Sequence, residues 1–111
     1  MQDQYTKQAL HAIQYAKTVA KKLKHPYVGT EHLLLGLRNE YTGVAGQILS
    51  QNGVEEEKIL RLIGELISPE ADVLNGQNPK ESPRFVYILE NSAREARRLH
   101  TKDIGTEHLL L

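Results

Sequence analysis

The sequence GTEHLLL decides the fold, because it occurs twice in the chain, at residues 29–35 and again at residues 105–111. Self-similarity at a fixed offset is the signature of a repeated structural unit. The same offset of 76 positions also matches residues upstream of each copy: Thr6 with Ser82, Leu10 with Val86, Ile13 with Leu89, Ala20 with Ala96, Lys21 with Arg97, Lys22 with Arg98 and Leu23 with Leu99. The duplicated part therefore predicts a helical hairpin.

The pattern upstream of each copy predicts a long amphipathic helix. The first runs from about residue 6 to 24, with Thr6 placed to accept a hydrogen bond from an unpaired N–H at its start. The second has Ser82 as its cap and Pro83 at the first helical position, where the missing N–H costs little. The predicted apolar faces are Leu10, Ile13, Ala16, Ala20 and Leu23 in the first helix and Phe85, Val86, Leu89, Ala93, Ala96 and Leu99 in the second.

The repeated heptapeptide predicts the start of a shorter helix. Its glycine permits a tight entry, and we expect Thr30 and Thr106 to cap the two short helices. Glu31 and Glu107 then fall in the first turn, where a carboxylate is favoured by the helix dipole. The leucines that follow are expected to pack in the core.

Two further helices follow in the first copy only, at about residues 43–51 and 55–67, and no strand pattern competes with them. The inward residues of the fourth helix are predicted to be Ile59, Leu60, Ile63, Leu66 and Ile67. Residues 68–81 are rich in helix-breaking Pro, Gly and Asn and predict a linker. The chain is thus predicted to be all-α, with a first helical repeat at 1–67 and a second, incomplete repeat at 82–111.

Composition restricts the classes of function. A chain of 111 residues with 14 basic and 14 acidic side chains fits about one globular domain and offers no overall field for nucleic acid or anionic lipid. It has no cysteine, no signal-peptide pattern and no apolar run approaching the roughly 20 residues of a membrane helix. We therefore expect a cytoplasmic protein without nucleic-acid or membrane partners.

The sharpest polar signal is the acid–imidazole pair Glu31 and His32, which recurs as Glu107 and His108. Two identical pairs at two helix starts are consistent with two equivalent binding sites. They are equally consistent with a dipole-stabilising glutamate and a histidine that satisfies a buried hydrogen bond. We expect no metal, because adjacent helical residues point about 100° apart and no third ligand lies at useful spacing.

Motifs of enzymes and cofactor sites are missing from the sequence. It contains no H-E-x-x-H, no G-x-S-x-G, no G-x-x-x-x-G-K-[ST] and no G-x-G-x-x-G. We therefore expect a protein that is not an enzyme, with no catalytic residues and no cofactor.

Several motifs together resemble a known family. Tyr5 and Thr6 open the first long helix, His25 precedes YVGTEHLLLGL at residues 27–37, and the heptapeptide returns at the end of the chain. This combination resembles the amino-terminal domain of the Clp family of AAA+ unfoldases, specifically the ClpC type. The resemblance implies two four-helix repeats with pseudo-two-fold symmetry. It also implies a chaperone module that docks substrate and adaptor proteins on a hexameric ATPase ring for regulated proteolysis.

The resemblance also implies a ligand. ClpC-type domains hold phosphorylated arginine side chains, and the positions that match here are Glu31 and Glu107, with Thr6 and Ser82 as the hydroxyl residues that open the long helices. A carboxylate accepts a guanidinium bidentately, while N–H groups at a helix start receive a phosphate. We expect each repeat to supply one such pocket.

Two other functions remain open from the sequence. The second repeat stops before any helices that would cover it, so Leu109, Leu110, Leu111 and the inner face of the Phe85 helix are expected to be exposed. Such a surface favours a self-associating structural module, with a homodimer formed through the incomplete repeat. The other alternative is a small metal-dependent hydrolase that uses Glu31 and His32.

Overall fold

A computed structural model describes residues 4–66, 79–101 and 103–110 of the chain. Within these ranges it has six helices and one two-stranded sheet: α1 (Lys7–Lys22), β1 (Tyr27–Val28), α2 (Thr30–Asn39), α3 (Val44–Gln51), α4 (Glu56–Leu66), β2 (Lys80–Glu81), α5 (Pro83–Arg98) and α6 (Thr106–Leu110). The predicted all-α class is confirmed. Most of the predicted linker, residues 68–78, lies outside the described residues, as do Ile67 and Leu111.

Both predicted caps of the long helices are confirmed. The Thr6 hydroxyl accepts the N–H of Ala9 at 3.1 Å, and the Ser82 hydroxyl accepts the N–H of Phe85 at 3.1 Å. Each cap satisfies one of the N–H groups that has no partner inside its helix. The sequence repeat is therefore a repeat of local structure at these two helix starts.

The two long helices also end alike. Lys24 and His100 adopt positive φ angles of 60° and 57°, a left-handed conformation that favours glycine. The residues after them donate backbone N–H groups into the last turn: His25 to the carbonyl of Ala20 and Thr101 to that of Ala96, both at 2.9 Å. These bonds give a hydrogen-bond partner to carbonyl groups at the end of each helix, as in the common C-terminal capping motifs.

The core lies between α1 and α2 and extends to α5 and α6. Gly36 of α2 lies so close to α1 that a Cβ added there would be 2.2 Å from the Ala12 carbonyl oxygen. Only glycine allows this helix pair to approach so closely. Around that contact the main buried cluster comprises Ala9, Ala12, Ile13, Ala16, Ala20, Val28, Leu33, Leu37, Ala45, Phe85 and Leu109.

Two short extended segments join the halves of the molecule. β1 pairs in parallel with β2, and Ser82 donates its N–H to the Val28 carbonyl at 3.0 Å. The matching contact in the other half is the bridge between Tyr5 and Ile104, where Thr6 donates its N–H to Ile104 at 2.8 Å. The expectation of no strand was therefore wrong at these positions. Lys80 and Glu81, predicted as linker, form a strand because they extend along β1.

Much of the apolar face of the second repeat is covered, contrary to the expectation from the sequence. Leu109 is only 3% exposed and Phe85 is fully buried, while Leu110 is half-buried against the same cluster. α6 packs against α1, α2, α3 and α5. The cover comes from the first half of the chain, which sequence periodicity alone did not show.

One hydrogen bond links the two halves at this interface. The buried Thr106 hydroxyl accepts the N–H of Ala45 in the first turn of α3 at 3.1 Å. Gly43, which opens α3, has no side chain to cap that helix. Thr106, a residue of α6, therefore caps the start of α3, which has no side-chain cap from its own N-cap residue.

Some predicted inward residues are in fact exposed. These are Leu10, Leu60, Val86 and Leu99, which lie at the margins of the apolar stripes of their helices. Ile59 and Ile63 of α4 are buried as predicted, and they pack with Val19 and Leu35 in a second cluster. Among the described helices, none combines the length and the apolar character that crossing a membrane requires.

Candidate docking site

The start of α2 is held by a histidine and not by a threonine. Gly29 is the N-cap residue, and its N–H donates to Nδ1 of His32 at 2.9 Å. The start of α6 repeats this arrangement, since Gly105 donates its N–H to Nδ1 of His108 at 2.8 Å. The expectation that Thr30 and Thr106 cap these helices was wrong, because both threonines are the first helical residues and lie inside the helix. The histidine two residues further on instead accepts the N–H of the glycine that precedes each helix.

The carboxylates of the repeated motif fold back over the glycines. A Cβ added to Gly29 would lie 2.2 Å from Oε1 of Glu31, and one added to Gly105 would overlap Oε1 of Glu107. The two glutamate side chains remain 37% and 42% exposed, respectively. The motif glycine therefore leaves room for a carboxylate at the mouth of each short helix, and that carboxylate is accessible to solvent.

Glu31 lines a shallow hollow of about 410 Å³ together with residues of the other repeat. Its walls are Tyr27, Gly29, Thr30 and Glu31 from the first half and Ser82, Pro83 and Arg84 from the second. The pairing of β1 with β2 creates it by placing the start of α5 beside the start of α2. The hollow beside Glu31 is therefore lined by both repeats, and it includes Ser82 but not Thr6.

The second half follows the same rule. Thr6 donates its N–H to the Ile104 carbonyl, which brings the start of α1 next to the segment that leads into Glu107. A hollow of about 440 Å³ flanks the first turn of α1, lined by Lys7, Gln8, His11, Glu40, Tyr41 and Thr42. Glu107 is not among the residues that line this hollow. The structure thus places Glu31 and Ser82 in one described hollow, whereas Thr6 is linked only to Ile104, three residues before Glu107.

The two helix starts differ in what they offer an anion. The first two N–H groups of any helix have no intrahelical partner, and at α1 these belong to Lys7 and Gln8. At α5 the first position is Pro83, which has no N–H, so Arg84 contributes the remaining N–H together with its guanidinium. The start of α5 combines the positive end of the helix dipole with Arg84, which lines the same hollow as Glu31. The start of α1 combines it with Lys7, which lines the same hollow as Glu40.

A buried histidine pair lies behind Glu31, and the sequence reasoning did not identify it. Nδ1 of His25 is 2.8 Å from Nε2 of His32, with His25 2% exposed and His32 fully buried. Burial lowers the pKa of both rings, and the charge of Glu31 opposes that shift. The one signal in the sequence is that His25 occupies the position of Thr101 in the second copy, so the duplication is broken there.

Comparison with known proteins agrees with this architecture. The family model described as the Clp repeat (R) N-terminal domain matches residues 4–111. The chain belongs to this family. The ClpC ATP-binding subunits of the Clp protease from Staphylococcus aureus and from Staphylococcus saprophyticus are both 37% identical to it over 106 residues. Those residues are 96% of this chain but 13% of each relative, so the chain spans a small part of their length.

Solved structures of N-domains share the fold. The N-domain of ClpV from Vibrio cholerae superposes with a TM-score of 0.77 at 23% identity, covering 96% of this chain and 64% of that one. A complex of the ClpV N-domain with a VipB peptide gives a TM-score of 0.76 at 21% identity, covering 96% and 65%. The N-terminal domain of ClpD from Arabidopsis thaliana gives 0.68 at 21% identity, covering 96% and 73%. The family assignment and the helical repeat fold are therefore established.

Proposed function

We propose that this chain is a protein-docking domain of a ClpC-type ATP-dependent unfoldase, consisting of two helical repeats joined by residues 68–81. In this role it presents substrates and adaptor proteins to an AAA+ ring in the cytoplasm for regulated proteolysis, and it performs no catalysis itself. The family membership and the similarity to ClpC subunits support the assignment. A related N-domain has been solved with a peptide, which is consistent with peptide docking as the activity.

The observation that carries the proposal is the accessible carboxylate of Glu31 facing the start of α5 across the hollow. A carboxylate without a full salt bridge attracts a cationic group, and a guanidinium fits it bidentately. Ser82 and Arg84 line the same hollow, and the Arg84 N–H, its guanidinium and the Ser82 hydroxyl are donors suited to a phosphate. The ligand that presents both groups on one side chain is phosphoarginine.

The same reasoning extends to Glu107 and Thr6, with Lys7 in the place of the basic residue. Two binding sites on one domain increase the affinity for a client protein that carries two phosphorylated arginines. After the first side chain has bound, binding of the second is intramolecular and occurs at a high effective concentration. We propose that both sites take a phosphoarginine side chain on a client protein. Each site needs both repeats, so neither repeat by itself would be competent.

A titration of free phosphoarginine into the ¹⁵N-labelled domain tests the proposal. The amides of Gly29 and Gly105 report the two sites separately. We expect Glu31→Gln to weaken binding at Gly29 by about tenfold or more, since a hydrogen bond to a charged group contributes about 1.5–3 kcal/mol. Glu107→Gln should have the corresponding effect at Gly105.

The matched control is Glu65→Gln, which removes an exposed carboxylate from α4, away from both sites. It should leave both affinities unchanged. Absence of binding to the wild-type domain, or equal affinity in Glu31→Gln and Glu65→Gln, would refute the proposed ligand.

A further inference from the structure

The direction of the hydrogen bonds fixes the protonation of the buried histidine pair. The N–H of Gly29 can only donate, so Nδ1 of His32 accepts and carries no proton. The proton of neutral His32 is therefore on Nε2, and it is donated to Nδ1 of His25 across 2.8 Å. A single chain of hydrogen bonds thus runs from Gly29 through His32 to His25.

An additional proton cannot enter this chain without breaking it. On Nδ1 of His32 it would replace the acceptor of the Gly29 N–H by a second donor. On Nδ1 of His25 it would face the donor Nε2–H of His32. Either event removes a hydrogen bond that is buried and that holds the start of α2.

Glu31 is positioned to receive a protonated His32. Its Oε1 lies 3.4 Å from Nδ1 of His32, a distance that contributes no hydrogen bond while that nitrogen carries no proton. Protonation would turn the same contact into an ion pair between the imidazolium and the carboxylate. The carboxylate would then be neutralised from inside the protein and would no longer face an incoming cation.

We propose that His25 and His32 act as positioning residues for Glu31, holding its carboxylate free when the pair is neutral and withdrawing it when the pair takes up a proton. This inference rests on the docking function proposed for Glu31. The histidine pair thereby makes the Gly29 site sensitive to pH. The Gly105 site has only one of the two histidines, His108, because Thr101 occupies the position that corresponds to His25.

The charged groups around the pair support this direction of response. Burial lowers the pKa of His32 most strongly, Glu31 raises it and His25 lowers it further. From neighbouring segments, Lys24 precedes His25, Lys80 pairs with Tyr27, and Arg84 lines the hollow. Because burial is the largest effect and lowers the pKa of both rings, the pair is neutral at pH 7.5 and protonation is confined to acidic pH.

The first experiment needs no ligand. Long-range ¹H–¹⁵N spectra of the histidine rings give their tautomers, and the Gly29 amide and the Glu31 carboxyl carbon are followed from pH 7.5 to 5.5. We expect His32 protonated at Nε2 alone at pH 7.5, followed by a joint shift of the Gly29 and Glu31 signals on acidification. The opposite tautomer, unchanged signals, or unfolding of the whole domain in place of a local change would overturn the proposal.

The second experiment compares three variants for phosphoarginine affinity at the Gly29 site. His32→Asn supplies an amide oxygen near the position of Nδ1, so it keeps the acceptor for Gly29 but does not titrate. His32→Leu keeps similar volume and removes the acceptor. His108→Asn makes the same replacement at the other site and is the matched control.

At pH 7.5 we expect His32→Asn to bind within about threefold of wild type and His32→Leu to bind about tenfold more weakly. Between pH 7.5 and 5.5 the wild type and His108→Asn should each lose about tenfold more affinity than His32→Asn. The ligand's own protonation is common to all variants and cancels. Equal pH dependence in wild type and His32→Asn would overturn the positioning role. If no variant binds at any pH, the proposed ligand is wrong, and the first experiment still decides whether the pair controls Glu31.

Discussion

Replacing Thr106 by valine removes the hydroxyl of α6 that accepts a hydrogen bond from the start of α3. The side chains have nearly the same shape, so Thr106→Val mainly removes the hydroxyl that accepts the N–H of Ala45 at 3.1 Å. Both residues are buried, at 2% and 0% exposure, so water does not easily replace the lost partner. Leaving a buried N–H unpaired costs about 1–3 kcal/mol.

Urea denaturation followed by circular dichroism measures this cost. With a slope of about 2 kcal/mol per molar urea, a loss of about 2 kcal/mol lowers the midpoint by about 1 M. Thr30→Val is the matched control, because Thr30 occupies the equivalent position in α2 and its hydroxyl has no partner among the described residues. We expect the control to change stability by less than about 0.5 kcal/mol.

Hydrogen exchange provides a second measurement at the same place. The amide of Ala45 should exchange faster in Thr106→Val than in the wild type, and it should be unaffected by Thr30→Val. If the two variants lose equal stability, the hydroxyl of Thr106 does not cap α3 and the proposed link between the halves is wrong.

Three further perturbations test the scaffold. Gly36→Ala should destabilise the domain by about 1–3 kcal/mol in urea titrations, because the added methyl group meets backbone of α1 and that backbone cannot move aside; an unchanged midpoint would refute the close approach. Lys24→Gly and His100→Gly should each stabilise the domain by about 0.5–1 kcal/mol in thermal melts, because glycine adopts the left-handed conformation without the steric cost of a side chain. A loss of stability in both variants would argue against that conformation. The free energy of unfolding should decrease as pH falls below about 6.5, because burial lowers the pKa of His25 and His32 and the unfolded chain then binds the protons more tightly. Denaturation at a series of pH values would show this, and His32→Asn should flatten the curve.

Sequence reasoning succeeded where the determinants are local. Thr6 and Ser82 cap their helices through contacts three residues apart, and such contacts depend only on nearby sequence. The repeated heptapeptide likewise opened two short helices as predicted. The family resemblance, which used the same residues, was confirmed over residues 4–111.

Sequence reasoning failed where the halves of the molecule meet. The strands that group Glu31 with Ser82 are two residues long, and a segment of that length carries no alternating pattern. Leu109 seemed exposed because the residues that cover it come from α1, α2, α3 and α5, most of them far away in sequence. Within the site, a histidine and a threonine at a helix start are both plausible caps, and only the geometry showed that His32 accepts the Gly29 N–H.

The crossed arrangement of the two halves bears on how such a domain arose. Because the hollow beside Glu31 is lined by residues of both halves, a shorter ancestral chain with one copy of the repeat would have lacked that hollow while it was alone. Two such chains around a symmetry axis would have formed it, and gene duplication with fusion then made that assembly independent of concentration. Once the copies were joined, each was free to diverge, and the difference between His25 and Thr101 shows that they did.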